Sequence, residues 1–381
     1  MQAQPLYDLA PLAQVALAGI VLAGGPLAWI WLRHRGAGTA GRLRALTLLT
    51  LFLSFDLVLF GAFTRLTDSG LGCPDWPGCY GNASPAGAHH EIRAAETALP
   101  GGPVTKSKAW IEMVHRYLAT GVGVLITVLA LASWVAHWRA RRRGATGDVS
   151  PWWAIATLVW VCVQGAFGAL TVTMKLYPAI VTAHLLGGIG LLVLLAVQAQ
   201  AYVRAPLALP AGLTLATFAV LALALAQSAL GGWVSTNYAV LACGDFPTCQ
   251  GAWWPAMDFR HGFALRRELG QTAGGEWLPF EALTAIHYVH RLAAYLVLAA
   301  VALLAWRLAA RRHRQPAAGR WAALLGGVAL LQLVSGLSNV VLGWPLVAAV
   351  AHTGGAAALV TLLAVLATRA LQAGGDLRPA S

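Results

Sequence analysis

Charge is what this chain has least of. Only 10% of its 381 residues are Asp, Glu, Lys or Arg, against 58% hydrophobic residues and a mean hydropathy of +0.66. Soluble domains carry about 25% charged residues, so the composition excludes an ordinary soluble protein and points to a polytopic membrane protein. Acidic residues are the scarcer kind, 14 against 26 basic ones, for a formal net charge of +12. In a soluble chain that excess would suggest nucleic acid. Here the arginines crowd the short joints between apolar runs: Arg33, Arg35, Arg42 and Arg44; Arg139 and Arg141 to Arg143; Arg307, Arg311, Arg312, Arg314 and Arg320. That is the positive-inside pattern, which makes them topology determinants and leaves no case for a nucleic-acid partner. Cysteine is also scarce, at five residues. There is no Cys-x-x-Cys-His, so covalent c-type haem lacks its motif. No basic residue precedes the first apolar run and arginines follow it, the reverse of a cleavable signal, so it reads as a retained helix.

What the chain has in abundance is long apolar runs. Those able to cross ~30 Å of hydrocarbon at ~1.5 Å per residue fall at about 11–32, 45–66, 110–138, 151–173, 177–203, 210–235, 283–306, 321–343 and 346–368. The expected fold is therefore all-α, with nine transmembrane helices. With the Arg-rich joints in the cytoplasm, the N-terminus and the loops 67–109 and 236–282 lie outside and the C-terminus inside.

The chain also repeats itself. Adding 175 takes Glu112, His115 and Arg116 to His287, His290 and Arg291; adding 170 takes Gly61, Cys73 and Cys79 to Gly231, Cys243 and Cys249. Adding 168 takes Gln164, Gly168, Val172 and His184 to Gln332, Gly336, Val340 and His352. The reading is an extra N-terminal helix with its cytoplasmic joint over 1–44, two four-helix halves over 45–203 and 204–368 joined by Arg204 to Leu209, and a cytoplasmic tail over 369–381. Four helices per copy give the two bundles parallel topology and a pseudo-two-fold axis along the membrane normal.

The outer loops hold Cys73 with Cys79 and Cys243 with Cys249, each pair enclosing a Pro-containing turn, Asp75-Trp76-Pro77-Gly78 or Asp245-Phe246-Pro247-Thr248. In an oxidising compartment two local disulfides are expected, either stapling the loops or taking part in redox chemistry. Cys162 lies mid-helix and reads as a small packing residue. His89, His90, Glu91 and Arg93 show no periodicity and read as solvated loop residues.

Four histidines fall inside apolar runs. Counted from the run edges at ~1.5 Å per residue, His115, His184, His290 and His352 all sit roughly 8–11 Å from the outer ends. Ionisable groups at membrane depth mark functional sites, and imidazole is a ligand of haem iron. Two helices per half, each offering one histidine, can clamp the two faces of a haem in a bundle core. Gly121 and Gly123, Gly187 and Gly188, and Gly354 and Gly355 follow three of these histidines, either for close approach to a macrocycle or for helix packing. Arg65, Arg116 and Arg291 at the outer helix ends suit haem propionates or snorkelling to headgroups. Glu112 lies one turn outward of His115 on the same face, near the edge of any haem held there, or hydrogen-bonded to His115, or solvated at the interface. Its counterpart is His287, so one copy has an acid where the other has none.

Gly61-Ala62-Phe63-Thr64-Arg65-Leu66-Thr67-Asp68-Ser69-Gly70-Leu71-Gly72-Cys73-Pro74-Asp75-Trp76-Pro77-Gly78-Cys79, followed by Glu112-x-x-His115-Arg116 and the later histidines in order, resembles the signatures of the heme A synthase family over about 45–368. The resemblance implies oxidation of the C8 methyl of haem o to a formyl, giving haem a, by two hydroxylations and a dehydration. It assigns haem b to His290 and His352, the substrate iron to His115 and His184, and the essential acid to Glu112. Cys73 and Cys79 match the family's outer-loop pair. Implied with it are a bacterial inner-membrane location, heme O synthase and an electron donor as partners, contact with membrane lipid, and scope for a homo-oligomer. The family's usual count is eight helices, so the run at 11–32 is a departure. Two other classes stay open, a di-haem b electron-transfer protein and a thiol–quinone oxidase using the Cys pairs.

Overall fold

The computed structural model describes residues 10–144, 150–203 and 205–376. Arg204, in the joint between the repeats, and residues 377–381 of the tail lie outside the described residues. The described chain is all-helical in its regular structure: α1 (Ala10–Arg33), α2 (Thr39–Leu66), α3 (His89–Ala98), α4 (Lys106–Arg142), α5 (Trp152–Thr173), α6 (Pro178–Ala201), α7 (Ala211–Thr236), α8 (Phe259–Gly262), α9 (Phe280–Ala309), α10 (Pro316–Val341) and α11 (Leu346–Asp376). Among the described residues nine of these helices are long and apolar enough to cross a membrane. Helices apolar all round satisfy their own backbone, as a lipid environment demands.

Several helix starts follow from local chemistry. Pro178 and Pro316 occupy first-turn positions, where a missing N–H costs nothing. Thr105 caps α4 by accepting from the Lys108 N–H at 3.3 Å. At 37 residues α4 runs ~55 Å at ~1.5 Å per residue, well beyond the hydrocarbon thickness. It begins four residues before its apolar run, with Lys106 and Lys108 in the added turn.

That added turn revises the depth estimate. His115 is nine residues past the start of α4 and His290 ten past the start of α9, ~14–15 Å in. His184 and His352 are each six past the starts of α6 and α11, ~9 Å in. The histidines share a depth in the apolar pattern, but α4 and α9 each carry an extra N-terminal turn that hydropathy does not register. Two further expectations change. Residues 89–98 form α3 rather than a loop, with Ile92 buried beneath exposed His89, His90, Glu91 and Arg93. Cys162 is exposed on α5, so it does not pack a core.

By packing, the chain divides into two compact units, Met1–Leu176 and Tyr177–Ser381. A unit defined by packing ends one helix earlier than a copy defined by repeat, because α6 packs on α7 and α11. Thr182 and Thr236 join α6 to α7 at 3.1 Å, and Gly232 lets Thr182 and Leu185 close in on α7. Arg369 and Gln372 on α11 donate to Gln200 on α6 at 2.9 and 3.1 Å.

In the first unit α1 packs along α4. A Cβ on Gly19 would fall 2.5 Å from Thr120, and one on Gly121 would meet Leu22 at 3.5 Å. Gly121 therefore serves helix packing. Gly355 does the same against α10, where a Cβ would fall 2.2 Å from Gln332. Higher up α1, Val15 joins a buried cluster with Cys73, Cys79, Ala88, Ile92, Ala109 and Met113.

Candidate functional site

Each Cys loop is a small folded object held by an acid within it and an arginine beneath it. Cys73 and Cys79 are joined, as are Cys243 and Cys249. The Asp75 carboxylate accepts from the N–H groups of Tyr80 and Gly81 at 2.6 and 2.8 Å. Asp245 accepts from those of Gln250 and Gly251 at 2.7 and 3.0 Å and from the Thr248 hydroxyl at 2.5 Å. These bonds, the Thr248 hydroxyl first, hold the Asp245 carboxyl down to about 2. Both loops contain a cis X-Pro bond, Trp76-Pro77 and Phe246-Pro247.

Arg116 and Arg291 are each taken up by the backbone of the loop beside them. Arg116 Nη1 donates to the carbonyls of Asp75 (2.9 Å), Gly78 (2.5 Å) and Pro77 (3.3 Å). Arg291 donates to those of Asp245 (2.9 Å), Thr248 (3.0 Å) and Cys243 (2.6 Å). The planar guanidinium, with five donors in a fixed fork, suits a ring of inward carbonyls. Arg65, by contrast, pairs with exposed Asp68 at 3.3 Å.

Glu112 is 4% exposed. One carboxylate oxygen, Oε2, accepts the Cys73 N–H at 2.8 Å, and the other is paired with Arg116 Nη2. Its partners are thus the loop and the arginine that fastens it. His287, also 4% exposed, takes the same place under the second loop and accepts from Arg291 Nε at 3.4 Å. The repeat keeps a buried polar group under each loop but changes an acid into an imidazole.

His115, His184, His290 and His352 are each part-buried, where His287 is buried. His115 on α4 stacks with Phe60 at 6.3 Å and faces Gly61, where a Cβ would lie 3.0 Å from Nε2. In the second unit a Cβ on Gly231 would lie 3.0 Å from the His290 ring, and one on Gly336 3.1 Å from the His352 ring. All three glycines mark the repeat in the sequence; the structure shows that they make room for imidazoles. Gln227 on α7 approaches His290 Nδ1 at 3.0 Å, and Ser335 on α10 approaches His352 Nδ1 at 2.9 Å. Sequence reasoning missed both, although Gln227 is one turn from Gly231 and Ser335 adjoins Gly336. His184, on α6 in the second unit, has a buried Nδ1 with no partner among the described residues.

Among the described residues no three His, Cys, Asp or Glu side chains converge as a metal-binding group. Histidine pairs flanked by glycine suit an iron whose remaining donors come from a planar macrocycle. Residues 44–364 match the family described as cytochrome oxidase assembly protein, COX15-CtaA. The chain belongs to this family. It is similar to a Heme A synthase of Shewanella oneidensis, 38% identical over 84% of this chain and 93% of that protein. A Heme A synthase of Mesorhizobium japonicum is 31% identical over 84% and 88%, and one of Paracoccus denitrificans 29% over 87% of each. The matched span takes in both Cys loops and all four part-buried histidines, and it begins after α1.

Proposed function

We infer that this chain is a heme A synthase, a haem-dependent membrane oxidoreductase that converts the C8 methyl of haem o to a formyl. The observation that carries the reading is the exchange of Glu112 for His287 between two otherwise matching loop-and-helix arrangements. An acid one turn from His115 marks the first as reactive. The second keeps His290 and His352, which would hold haem b and pass electrons. His184 is assigned to the substrate side by its repeat relation to His352. The four-helix halves 45–203 and 204–368 remain the functional division, with the Cys loops outside and the C-terminus cytoplasmic in a bacterial inner membrane. Heme O synthase as the source of substrate and a separate electron donor complete the proposal.

Haem iron, when bound, supplies the oxidant that an unactivated methyl needs. The chain's own residues do the rest. His115 orients the ring from α4, and Gly61 leaves space beside the imidazole. Glu112 serves as the proton-handling group, its position fixed by Cys73 N–H and Arg116. Each carboxylate oxygen already has a donor, so a proton is taken up on a remaining lone pair. The loop pinned by Arg116 screens this end of the helix from bulk water.

A pigment extract of the purified protein tests the reading. One permanent haem b together with haem o or haem a is expected. Two permanent b haems with no conversion of haem o would indicate an electron-transfer protein instead, and no haem at all would end the reading.

A further inference from the structure

The two histidines assigned to haem b have something in common that His184 lacks. Ser335 Oγ donates its proton to the Leu331 carbonyl at 2.6 Å, so the oxygen that faces His352 Nδ1 at 2.9 Å acts as acceptor. His352 then carries its proton on Nδ1 and leaves the Nε2 lone pair for a metal. On the same residue, Gln332 Nε2 donates to the His352 carbonyl at 2.9 Å. Gln227 lies against His290 in two places, with Nε2 3.0 Å from Nδ1 and 3.1 Å from the carbonyl oxygen. Its Oε1 is buried with no partner among the described residues, and Nε2, donating to the carbonyl, holds the ring and backbone of His290 to α7. Both imidazoles are held from behind by neighbouring helices, α7 and α10. The Nδ1 of His184 is buried with no partner among the described residues. The sequence accounts for some of the contrast: the 168-residue offset that relates His352 to His184 relates Ser335 to Phe167, which has no hydrogen-bonding group.

We propose that Gln227 and Ser335 are positioning residues that make the haem on His290 and His352 a permanent one, while His184, without such a contact, is suited to a haem that must arrive and leave. The proposal rests on the heme A synthase reading, in which one haem is resident and the other is both substrate and product. At His352 the acceptor on Nδ1 fixes the tautomer and the ring orientation and raises the basicity of the ligating nitrogen; at His290 the two contacts from Gln227 fix the ring orientation. Removing such a partner typically lowers metal affinity 10–100-fold. Nothing in this assigns Gln227 or Ser335 to the chemistry at the methyl. They act through His290 and His352.

The test uses the full-length protein purified in detergent, with release of haem b to an excess of a haem-scavenging apoprotein followed by absorbance. Ser335→Ala and Gln227→Leu are each expected to release haem b about 10–100-fold faster than wild type. Ser335→Ala should also raise its midpoint potential, because a less basic ligand favours the ferric state less. Ser335→Thr, which keeps the hydroxyl, is expected to release haem b at close to the wild-type rate. Thermal unfolding of the haem-free forms separates these effects from misfolding, since an anchoring role leaves the apo midpoint nearly unchanged. Wild-type release rates in both Ser335→Ala and Gln227→Leu would overturn the proposal and leave the enzymatic reading intact. A wild-type protein with no haem b would overturn both.

Discussion

Glu112 and Cys73 are joined by a 2.8 Å hydrogen bond, from the Cys73 N–H to carboxylate Oε2. The acid proposed to handle protons is thereby tied to the backbone of one disulfide cysteine, 39 residues earlier in the chain. Changing Glu112 therefore touches two things at once, the chemistry and the seat of the loop, and a pair of variants separates them. Glu112→Gln keeps a group able to accept the Cys73 N–H; Glu112→Ala keeps none. Both are expected to cut haem a formation by roughly 100-fold or more, the usual scale for losing a general acid or base, while haem b absorbance persists. Haem a output at the wild-type level from Glu112→Ala would remove the residue from the mechanism.

Arg116 and Arg291 do matching work on matching loops, but only Arg116 also faces a buried carboxylate. Arg116→Ala should cost about 3–5 kcal/mol, because it strands a buried charge as well as three carbonyls. Arg291→Ala strands carbonyls and leaves a neutral-capable imidazole, so its cost should be smaller. The comparison is made by Tm and by protease cleavage within 73–82 and 243–252. Equal losses would mean that the Glu112 pair adds nothing to the fold.

Gly231→Ala and Gly336→Ala each place a methyl about 3 Å from an imidazole carbon, 3.0 and 3.1 Å by geometry. Overpacking of this kind costs roughly 1–3 kcal/mol when the neighbour cannot move, and here the neighbour is a histidine held from behind. Haem b content per purified protein should fall to less than half. Full occupancy in both variants would show that the rings lie elsewhere when haem is bound.

The second loop should resist acid. The Asp245 carboxyl is depressed to about 2 from the ordinary 3.8, so its fastening is complete above about pH 4 and is lost only as pH falls toward 2. Hydrogen exchange at the Gln250 and Gly251 amides, corrected for intrinsic rates, is expected to stay protected at pH 3.5 and to open near pH 2. Loss of protection already at pH 4 would contradict the hydrogen-bond set around Asp245.

Much of this architecture could be read from the sequence, because each element leaves a one-dimensional trace. Bilayer-length apolar runs reported the nine membrane-length helices, and constant offsets reported the duplicated loops and histidines. The same method misplaced the outer ends of α4 and α9, since a helix that emerges into water stops being apolar without ceasing to be a helix. It left α3 as a loop because the charged and histidine-rich start of this ten-residue surface helix reads as solvated, although its amphipathic pattern buries Ile92. The arginines were harder. A cation at a helix end has the same trace whether it meets a headgroup, a propionate or, as with Arg116 and Arg291, a ring of backbone carbonyls. Gln227 and Ser335 left no trace at all by repeat, since what matters about them is that the first copy lacks them.

The first helix has a bearing on how this protein is handled. By composition α1 is a membrane anchor outside the family's matched span, the segment most readily trimmed or replaced with a tag. Yet Gly19 seats it against Thr120 on the helix that carries Glu112, His115 and Arg116, Val15 enters the cluster around Cys73 and Cys79, and Pro11 reaches to 3.3 Å from where a Cβ on Gly78 would sit. Shortening the chain before residue 34 would thus remove a buttress from the acid's own helix. A truncated enzyme that still inserts and still binds haem could be inactive for a reason that no substitution at the site would reveal.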